Sequence, residues 1–538
     1  MRINKRILLS VLLGGAFGSA IVAQPSDSIG WTTMSYLKQS EAWLGSENAA
    51  GLYTLPNYQF SVAEVYANKQ NGKFVDYYQS DNSIELGAKV ESFYRFNSKI
   101  VFYGQMEYLN FTGKNMGGSY FINPKDNPFD IVEYTDDNRG EKKLENYHLT
   151  GAVSADLSKK LSIGGKLDYT AANYSKRKDL RHVNNLMDLY LTAGLVYRMN
   201  KHLTLGANYY YRRSTEGLLL DMYGTTDNIY YSLVSYGAFY GSRESFGDTG
   251  YTKENEEKPL FNQYHGGSVQ LNWSILPQLK FFNELGYKSR SGYYGKKSPS
   301  TVVYSEHNSD IWSYHGVLSL AEKKNFHSLQ IDFRQEALTN VENIYQYNNS
   351  SSTGISNVEY YGTLDTTDKT TRNLSAQYVG HFNTNEGCPT WVVEGGFSYF
   401  NRELTASVYP YYRKQNVHNT TFHLSGERNI LTNSGMYSIY LGGSYASGGG
   451  DIFSDGTYAT PSDSQSEPAS TTTFLYREFE YMTNKQIRGE VGFKYTRSIL
   501  KGIKGFTSLH YGLTKAFDVT YLEGSQHHEL TWTIGCTF

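Results

Sequence analysis

The sequence has 538 residues and a formal charge of −2 at pH 7, a near-neutral balance that excludes the basic surface by which proteins bind nucleic acid. Its 49 Tyr and 51 Gly contrast with 11 Pro, a composition typical of membrane β-barrels with aromatic girdles and close backbone contacts. A soluble β-propeller or solenoid is the alternative, but no motif of fixed blade length repeats along the chain.

Residues 1–23 are predicted to be a secretory signal peptide. Arg2, Lys5 and Arg6 precede an apolar run over residues 7–17, and small residues follow up to Ala23. The run is too short to span a membrane, and beyond it no stretch approaches the roughly 18 consecutive apolar residues of a membrane helix. No Cys follows the run, so we expect an exported chain without a lipid-anchored N-terminus.

Residues 24–56 do not follow a strand pattern. We expect them to form either a periplasmic extension or a plug inside the lumen of a barrel, and the candidate plug residues are Trp31, Trp43, Asn48 and Leu52. The stretch from Asn48 to Leu52 is similar to an Asn-Pro-Ala-Gly-Leu stretch near the N-terminus of fatty-acid-transporter-like barrels. Here the proline is replaced by Ala49, and that family has fewer strands than this sequence predicts.

Residues 57–538 are predicted to form paired strands. In the clearest pair, residues 147–157 alternate between apolar and polar side chains, turn at Ser158 and Lys159, and return over residues 161–169. Similar pairs recur to the C-terminus and are separated by longer polar connections, at 112–145, 213–264, 292–309, 339–370, 404–416 and 447–485. The pattern predicts an all-β fold, a transmembrane antiparallel β-barrel of about 18 strands with short periplasmic turns and long extracellular loops.

The polar phase of these strands is predicted to line the lumen. Both signs of charge occur in it, without the ring of one sign that selects ions strongly. Such side chains either form a polar constriction that passes small hydrophilic solutes, or pair with one another and with a plug. The predicted lumen residues are Glu85, Lys89, Glu91, Arg95, Glu107, Asp156, Lys166, Asp168, Arg198, Lys280, Glu284, Lys288, Asp332, Arg334, Glu394, Arg488, Glu490 and Lys494.

The sequence offers no catalytic, cofactor or metal motif. His527 and His528 are adjacent on a predicted strand and therefore point to opposite faces. Cys388 and Cys536 lie in different parts of the predicted barrel, and we expect no disulfide between them. We therefore expect neither an enzyme nor a bound cofactor or metal.

The last strand, residues 528–538, alternates strictly and ends on Phe538, with Trp532 on its apolar face. It resembles the closing strand of bacterial outer-membrane barrels, which the barrel-assembly machinery reads. With the signal and the Tyr-rich hairpins, the chain resembles an uncharacterised outer-membrane β-barrel family of Bacteroides-type bacteria. That resemblance implies a location in the cell outer membrane and contact with its lipid bilayer. It also implies a TonB-dependent receptor or a surface lipoprotein as a partner. Binding of nucleic acid is not expected.

Two functions remain open at this point. The first is a channel or transport barrel for small polar solutes, and the second is an occluded barrel that serves as a structural or accessory subunit of a surface nutrient-uptake complex. Inward folding of residues 31–52 and of the 213–264 connection would weaken the simple channel hypothesis.

Overall fold

The structure is a computed structural model that describes residues 31–56, 59–222, 228–349, 356–385 and 387–538. The predicted signal peptide lies outside these residues. Within them, eighteen strands form one antiparallel sheet that closes on itself. The wall strands are β1 (Phe60–Gly72), β2 (Asn82–Arg95), β3 (Ile100–Met116), β5 (Gly140–Asp156), β6 (Leu161–Lys176), β7 (Arg181–Arg198), β8 (Leu203–Asp221), β11 (Lys258–Leu276), β12 (Leu279–Ser298), β13 (Thr301–Ala321), β14 (Phe326–Asn349), β15 (Ser356–Phe382), β16 (Trp391–Val408), β17 (Tyr411–Thr432), β18 (Gly435–Thr457), β20 (Gln486–Leu500), β21 (Ile503–Ala516) and β22 (Gln526–Thr537).

The barrel closes where the last strand meets the first. β22 pairs antiparallel with β1, with Ile534 opposite Val65 and Cys536 opposite Ala63. The ends of this seam are tied by Phe538, whose N–H donates to the Ser61 carbonyl at 3.0 Å while its own carbonyl accepts from the Ser61 N–H at 2.8 Å. Closure leaves no unpaired strand edge in the wall, as a membrane barrel requires.

The outer surface carries the apolar phase of the strands. Large apolar side chains that would be buried in a soluble protein stand exposed on it, for example Val65, Val269, Leu424, Leu441 and Trp532, each more than half exposed. An exposed apolar surface this extensive is stable against lipid rather than water. The prediction of an all-β transmembrane barrel of about 18 strands is confirmed.

None of the helices within the described ranges has both the length and the apolar character needed to cross a membrane.

The two ends of the barrel differ in the length of their connections. At one end neighbouring strands are joined by short turns, such as residues 157–160, and at the other the chain leaves the wall for up to about three dozen residues, as between β8 and β11. Three connections predicted to be long are wrong. β12 and β13 continue to a turn at 299–300, and β16 and β17 continue to one at 409–410. In the 339–370 connection, β14 runs on to Asn349 and β15 begins at Ser356. Beyond the membrane both faces of these strands meet water, so the alternation fades although the hydrogen bonds continue.

An N-terminal segment, residues 31–56, lies inside the barrel at the short-turn end. It consists of α1 (Met34–Ser40), α2 (Ala42–Gly45) and a 3-10 helix (Ala49–Thr54). Buried Leu37 packs with Phe93 of β2, whereas Trp43 packs with Phe282 of β12 on the opposite side of the barrel. The segment therefore bridges the lumen.

A second structure, which we call the cap, lies inside the long-loop end. It contains a four-stranded sheet of β4 (Asp130–Glu133), β9 (Tyr231–Ser235), β10 (Tyr240–Ser245) and β19 (Ala469–Ser470), with α3 (Thr472–Thr483) and two further 3-10 turns (Pro124–Asp126 and Gly250–Thr252). Its core joins cap residues such as Ile131 and Val234 to wall residues such as Leu218, Leu260 and Tyr294, all at most 1% exposed. Much of the 213–264 connection thus folds inward.

Candidate functional site

The N-terminal segment rests on wall glycines. Gly164 of β6 and Gly194 of β7 are directly opposite each other on neighbouring strands. Gly206 of β8 is opposite Val196, which lies two residues further along β7 than Gly194. A Cβ atom at Gly164 would lie 2.2 Å from the Ala50 nitrogen, and one at Gly194 would lie 2.2 Å from Asn48 Oδ1. Only glycine allows this approach of two backbones.

Asn48 fixes the segment on this surface. Its side-chain oxygen accepts from the Ala50 N–H at 3.0 Å and so caps the 3-10 helix. Its amide nitrogen donates to the carbonyls of Leu195 and Ala207 at 3.0 and 3.2 Å, and to Gln270 Oε1 at 3.0 Å. Asn48 is 1% exposed, and a buried amide left without such partners would be costly.

Five of the predicted lumen residues contact the N-terminal segment. Glu91 pairs with Lys38, and Lys280 lies 3.8 Å from Glu41. The other contacts are Arg95 to the Tyr53 carbonyl at 2.9 Å, Arg198 over the Tyr53 ring at 4.4 Å, and Ser46 to Glu284 at 2.9 Å. Predicted plug residues Trp31, Trp43, Asn48 and Leu52 are likewise in contact with the wall.

The remaining lumen residues mostly pair within the wall. Lys166 lies 3.8 Å from Asp168, Arg488 donates to Glu490 and Glu529, and Asp332 accepts from His315 at 2.7 Å. The other wall contacts are Lys89 with Glu91, Arg334 with Glu336, Glu107 with Gln105, Glu85 with Tyr66, and Asp156 with Arg198. These contacts match the alternative in which lumen charges pair with one another and with an inner segment.

A chamber of about 550 Å³ lies near the middle of the lumen. Gly45 and Glu47 of the N-terminal segment line one side, and the wall contributes Tyr210, Glu284, Lys288, Ser313, His315, Asp332, Arg334, Asn373, Ser375, Ser398, Phe400 and Asn419. Further out along β14, Glu336 pairs with Arg290, which also donates to the Asp126 carbonyl of the cap. The chamber therefore lies between the N-terminal segment and the cap.

The sequence analysis did not identify Glu47, Tyr190 and Tyr210 as site residues. Tyr190 and Tyr210 occupy lumen-facing positions of β7 and β8, and their rings stack at 6.0 Å with an angle of 24°. Their position in the alternation of β7 and β8 could have identified them, but Tyr is frequent on both faces of this barrel. Nothing in the sequence places Glu47 beside them.

A second cavity, of about 340 Å³, lies at the short-turn end beside α1. Its lining includes Trp31, Lys38 and Glu91, together with Lys494 and Lys504 of the wall. Lys504 lies over the Trp31 ring at 4.5 Å. The cavity thus lies beside this contact, between the first described residues of the N-terminal segment and the wall.

The cap is attached to the wall by buried polar contacts. Arg402 of β16 donates to both carboxylate oxygens of Glu478 in α3, at 3.0 and 3.1 Å. Lys176 of β6 pairs with Glu133 of β4. Asp130 of β4 accepts from Ser119 at 2.6 Å and from the Tyr77 hydroxyl at 2.9 Å, and burial raises the pKa of its carboxyl to about 7.

No metal-binding group of His, Cys, Asp and Glu occurs among the residues with described positions. His528 bonds to Tyr511 on the outer face, whereas His527 belongs to the opposite phase of β22. Cys388 and Cys536 are both free thiols.

Comparison with known proteins identifies a family and several similar barrels. The model of a "Family of unknown function (DUF6850)" matches residues 49–538. The chain is similar to BauA, the ferric preacinetobactin receptor from Acinetobacter baumannii, with 9% identity over 88% of this chain and 80% of that one and a TM-score of 0.41. It is also similar to a Pseudomonas aeruginosa FadL homologue (10% identity, 91% and 92% covered, TM-score 0.32) and to the FrpB iron transporter from Neisseria meningitidis (10%, 91% and 83%, 0.37). None of the curated proteins matches the sequence.

Proposed function

We propose that this chain, which belongs to the DUF6850 family of unknown function, is an outer-membrane transport barrel for small polar solutes that its N-terminal segment keeps closed. The expected membership of an uncharacterised family is confirmed, and a Bacteroides-type origin stays a prediction. The observation that carries the proposal is the polar chamber between the N-terminal segment and the cap. Its volume falls within the range of about 300–1,000 Å³ that small-molecule sites occupy.

The chamber has the properties of a solvated compartment. The Arg334 side chain projects into the lumen, yet half of its surface is exposed. Ser, Asn, Lys, Glu and Asp make up half of the lining residues, and burying such groups is costly unless they contact water or a polar solute. This lining fits a hydrophilic solute better than an apolar one.

The N-terminal segment is the part that can move to open the barrel. The wall is a closed hydrogen-bonded sheet, and breaking it within lipid would leave backbone groups without partners. The segment is attached to the wall by side-chain contacts and precedes β1 in the chain. A local structure packed against a sheet opens at lower free energy than the sheet itself.

Single-channel conductance in a planar bilayer tests the proposal. We expect brief openings of the full-length mature barrel and a larger, persistent conductance after deletion of residues 24–52, because deletion removes the segment that bridges the lumen. Asn48→Ala should lengthen the openings, since it removes the contacts with Leu195 and Ala207.

The matched control is Asn340→Ala. Asn340 is also a buried asparagine, but it bonds to Thr366 in the wall and not to the N-terminal segment. Equal conductance of the full-length and deleted proteins, or equal effects of the two asparagine variants, would contradict gating by the segment.

An occluded accessory barrel is the second candidate function, and the well-packed cap favours it. Two bridging structures in one lumen would suit a subunit that supports a TonB-dependent receptor or a surface lipoprotein. Silence of both the full-length and the deleted barrel in the bilayer would favour this alternative. Co-purification of such a partner from cross-linked envelopes would then be the decisive observation.

We also propose that the last strand is the signal for the barrel-assembly machinery. Trp532 is exposed to lipid and Phe538 ties the seam to Ser61. Phe538→Ala should reduce the amount of folded barrel in the outer membrane without changing the conductance of the molecules that do insert.

A further inference from the structure

Lys288 is a charged side chain of the central chamber that forms no ion pair with the described residues. Glu284 accepts from Ser46 at 2.9 Å, Asp332 accepts from His315 at 2.7 Å, and Arg334 donates to Glu336 at 2.8 Å. For Lys288, no carboxylate oxygen lies within 4.0 Å among the described residues. The chamber therefore contains one ammonium without an ion pair.

The surroundings of Lys288 leave hydrogen-bonding capacity unused. Its Nζ lies 3.4 Å from the Tyr190 hydroxyl and 4.5 Å from the centre of the Tyr210 ring. An ammonium has three donors, and here one long hydrogen bond and two ring faces serve a half-buried group. Lys288 also lines the chamber, so an acceptor on a solute can reach it.

A carboxylate of the N-terminal segment lies on the other side of the same tyrosine. Tyr190 donates its hydroxyl to Glu47 Oε2 at 3.1 Å. Glu47 and Lys288 both line the central chamber. Arg212 is paired with Asp188. The segment thus places a carboxylate close to the unpaired ammonium without forming a direct ion pair.

We propose that the chamber binds its solute through a carboxylate group that pairs with Lys288, and that this group displaces Glu47. The inference rests on the transport function proposed above and specifies the class of solute as a small organic carboxylate. Replacing one carboxylate by another leaves the charge balance of the chamber unchanged, so the nearby Glu284 and Asp332 do not oppose the exchange. Displacement of Glu47 removes its bond to Tyr190, and binding thereby loosens the tip of the N-terminal segment.

Calorimetric titration of the full-length, detergent-solubilised barrel tests this inference. The probes are glucuronate and glucose, which share a ring and differ in the carboxylate, with inorganic phosphate and sulfate as anions of other classes. We expect glucuronate to bind at least about tenfold more tightly than the other three, a difference of about 1.4 kcal/mol, because only glucuronate brings a carboxylate that can form a charged hydrogen bond with Lys288.

Variants assign the effect to the two residues. Lys288→Met should lower the affinity for glucuronate about tenfold or more, Lys288→Arg should restore part of it, and Glu47→Gln should raise it because the internal competitor loses its charge. Lys494→Met is the matched control, because Lys494 also faces the lumen but lines the second cavity. Its affinity should equal that of the unaltered protein.

Each other outcome overturns the inference. Absence of glucuronate binding, equal binding of glucose, binding of phosphate or sulfate as tight as that of glucuronate, or an unchanged affinity of Lys288→Met would each do so. Failure of the transport proposal is distinguishable, since binding in detergent does not require conduction. Carboxylate binding by a barrel that never conducts would refute transport alone, and conduction without discrimination among the probes would refute the inference alone.

Discussion

The N-terminal segment and the cap bridge opposite ends of one lumen, but their contacts with the wall differ in kind. The ion pairs of the segment stay hydrated: Lys38 and Lys280 are 37% and 44% exposed. Those of the cap are enclosed, with Lys176 and Glu133 at most 1% exposed and Arg402 10%. Removing one member of a buried ion pair strongly destabilises the folded protein, whereas an exposed ion pair contributes little to its stability. The ion pairs of the segment are therefore exchanged for water more readily than those of the cap.

The largest effect is expected from Arg402→Met. This change leaves Glu478 buried without its bidentate partner, which costs about 3–5 kcal/mol. Hydrogen exchange should show lost protection throughout α3, while the N-terminal segment keeps its protection. The double variant Arg402→Met with Glu478→Met should recover most of the protection, and failure to recover would show that the pair is not what holds the helix.

Gly164→Ala should act at the other end with a smaller effect. The new Cβ would meet the Ala50 backbone at 2.2 Å, and such overpacking costs about 1–3 kcal/mol. We expect displacement of the N-terminal segment, seen as longer channel openings and faster proteolysis at Lys38. Gly151→Ala on the neighbouring strand is the control, because no atom lies within 4 Å of its added Cβ; the same phenotype there would exclude the steric explanation.

The pH should affect the cap more than the segment. Because burial raises the pKa of Asp130 to about 7 in the folded cap, the folded form binds more protons than the unfolded form between about pH 4 and that value. The stability of the cap should therefore fall as the pH rises through this range and then level off. Protection of β4, corrected for intrinsic exchange rates, measures the effect. Asp130→Asn should reduce the dependence but not abolish it, because burial also raises the pKa of Glu133 in the same strand.

The smallest effect is expected from Lys38→Met. Its ion pair with Glu91 is hydrated on the lysine side, and Glu91 keeps Lys89 as a second partner at 3.2 Å. A loss of about 0–1 kcal/mol is expected, with a slight increase in open probability at low salt that disappears at high salt. A large closure defect at high salt would show that this ion pair holds the segment as strongly as the buried pairs hold the cap.

The wall was predictable from sequence because its physical signal is local. The alternation places Leu167 outside and Lys166 inside regardless of the rest of the chain. The eighteen predicted lumen charges, from Glu85 to Lys494, all lie on the phase opposite to the exposed apolar side chains. Strand ends were less predictable, since the signal depends on lipid and stops at its boundary.

The cap and the wall residues that contact the N-terminal segment were not predictable in the same way. Ile131 and Val234 meet across about a hundred residues, and Trp43 packs on Phe282 from an even greater distance along the chain. Gly164 and Gly194 look like any lumen-facing glycines until Asn48 and Ala50 are placed against them. The sequence therefore left two alternatives for residues 24–56, a periplasmic extension and a plug inside the lumen, because only tertiary contacts distinguish them.

The seam between β1 and β22 fixes the place at which the N-terminal segment meets the wall. Residues 31–56 precede β1 in the chain, and Ser61 of β1 is bonded to Phe538 of β22 in both directions. The segment is therefore anchored beside a bonded seam at the short-turn end of the barrel. A segment that leaves the wall glycines stays tethered at the mouth of the lumen and can return to the same position.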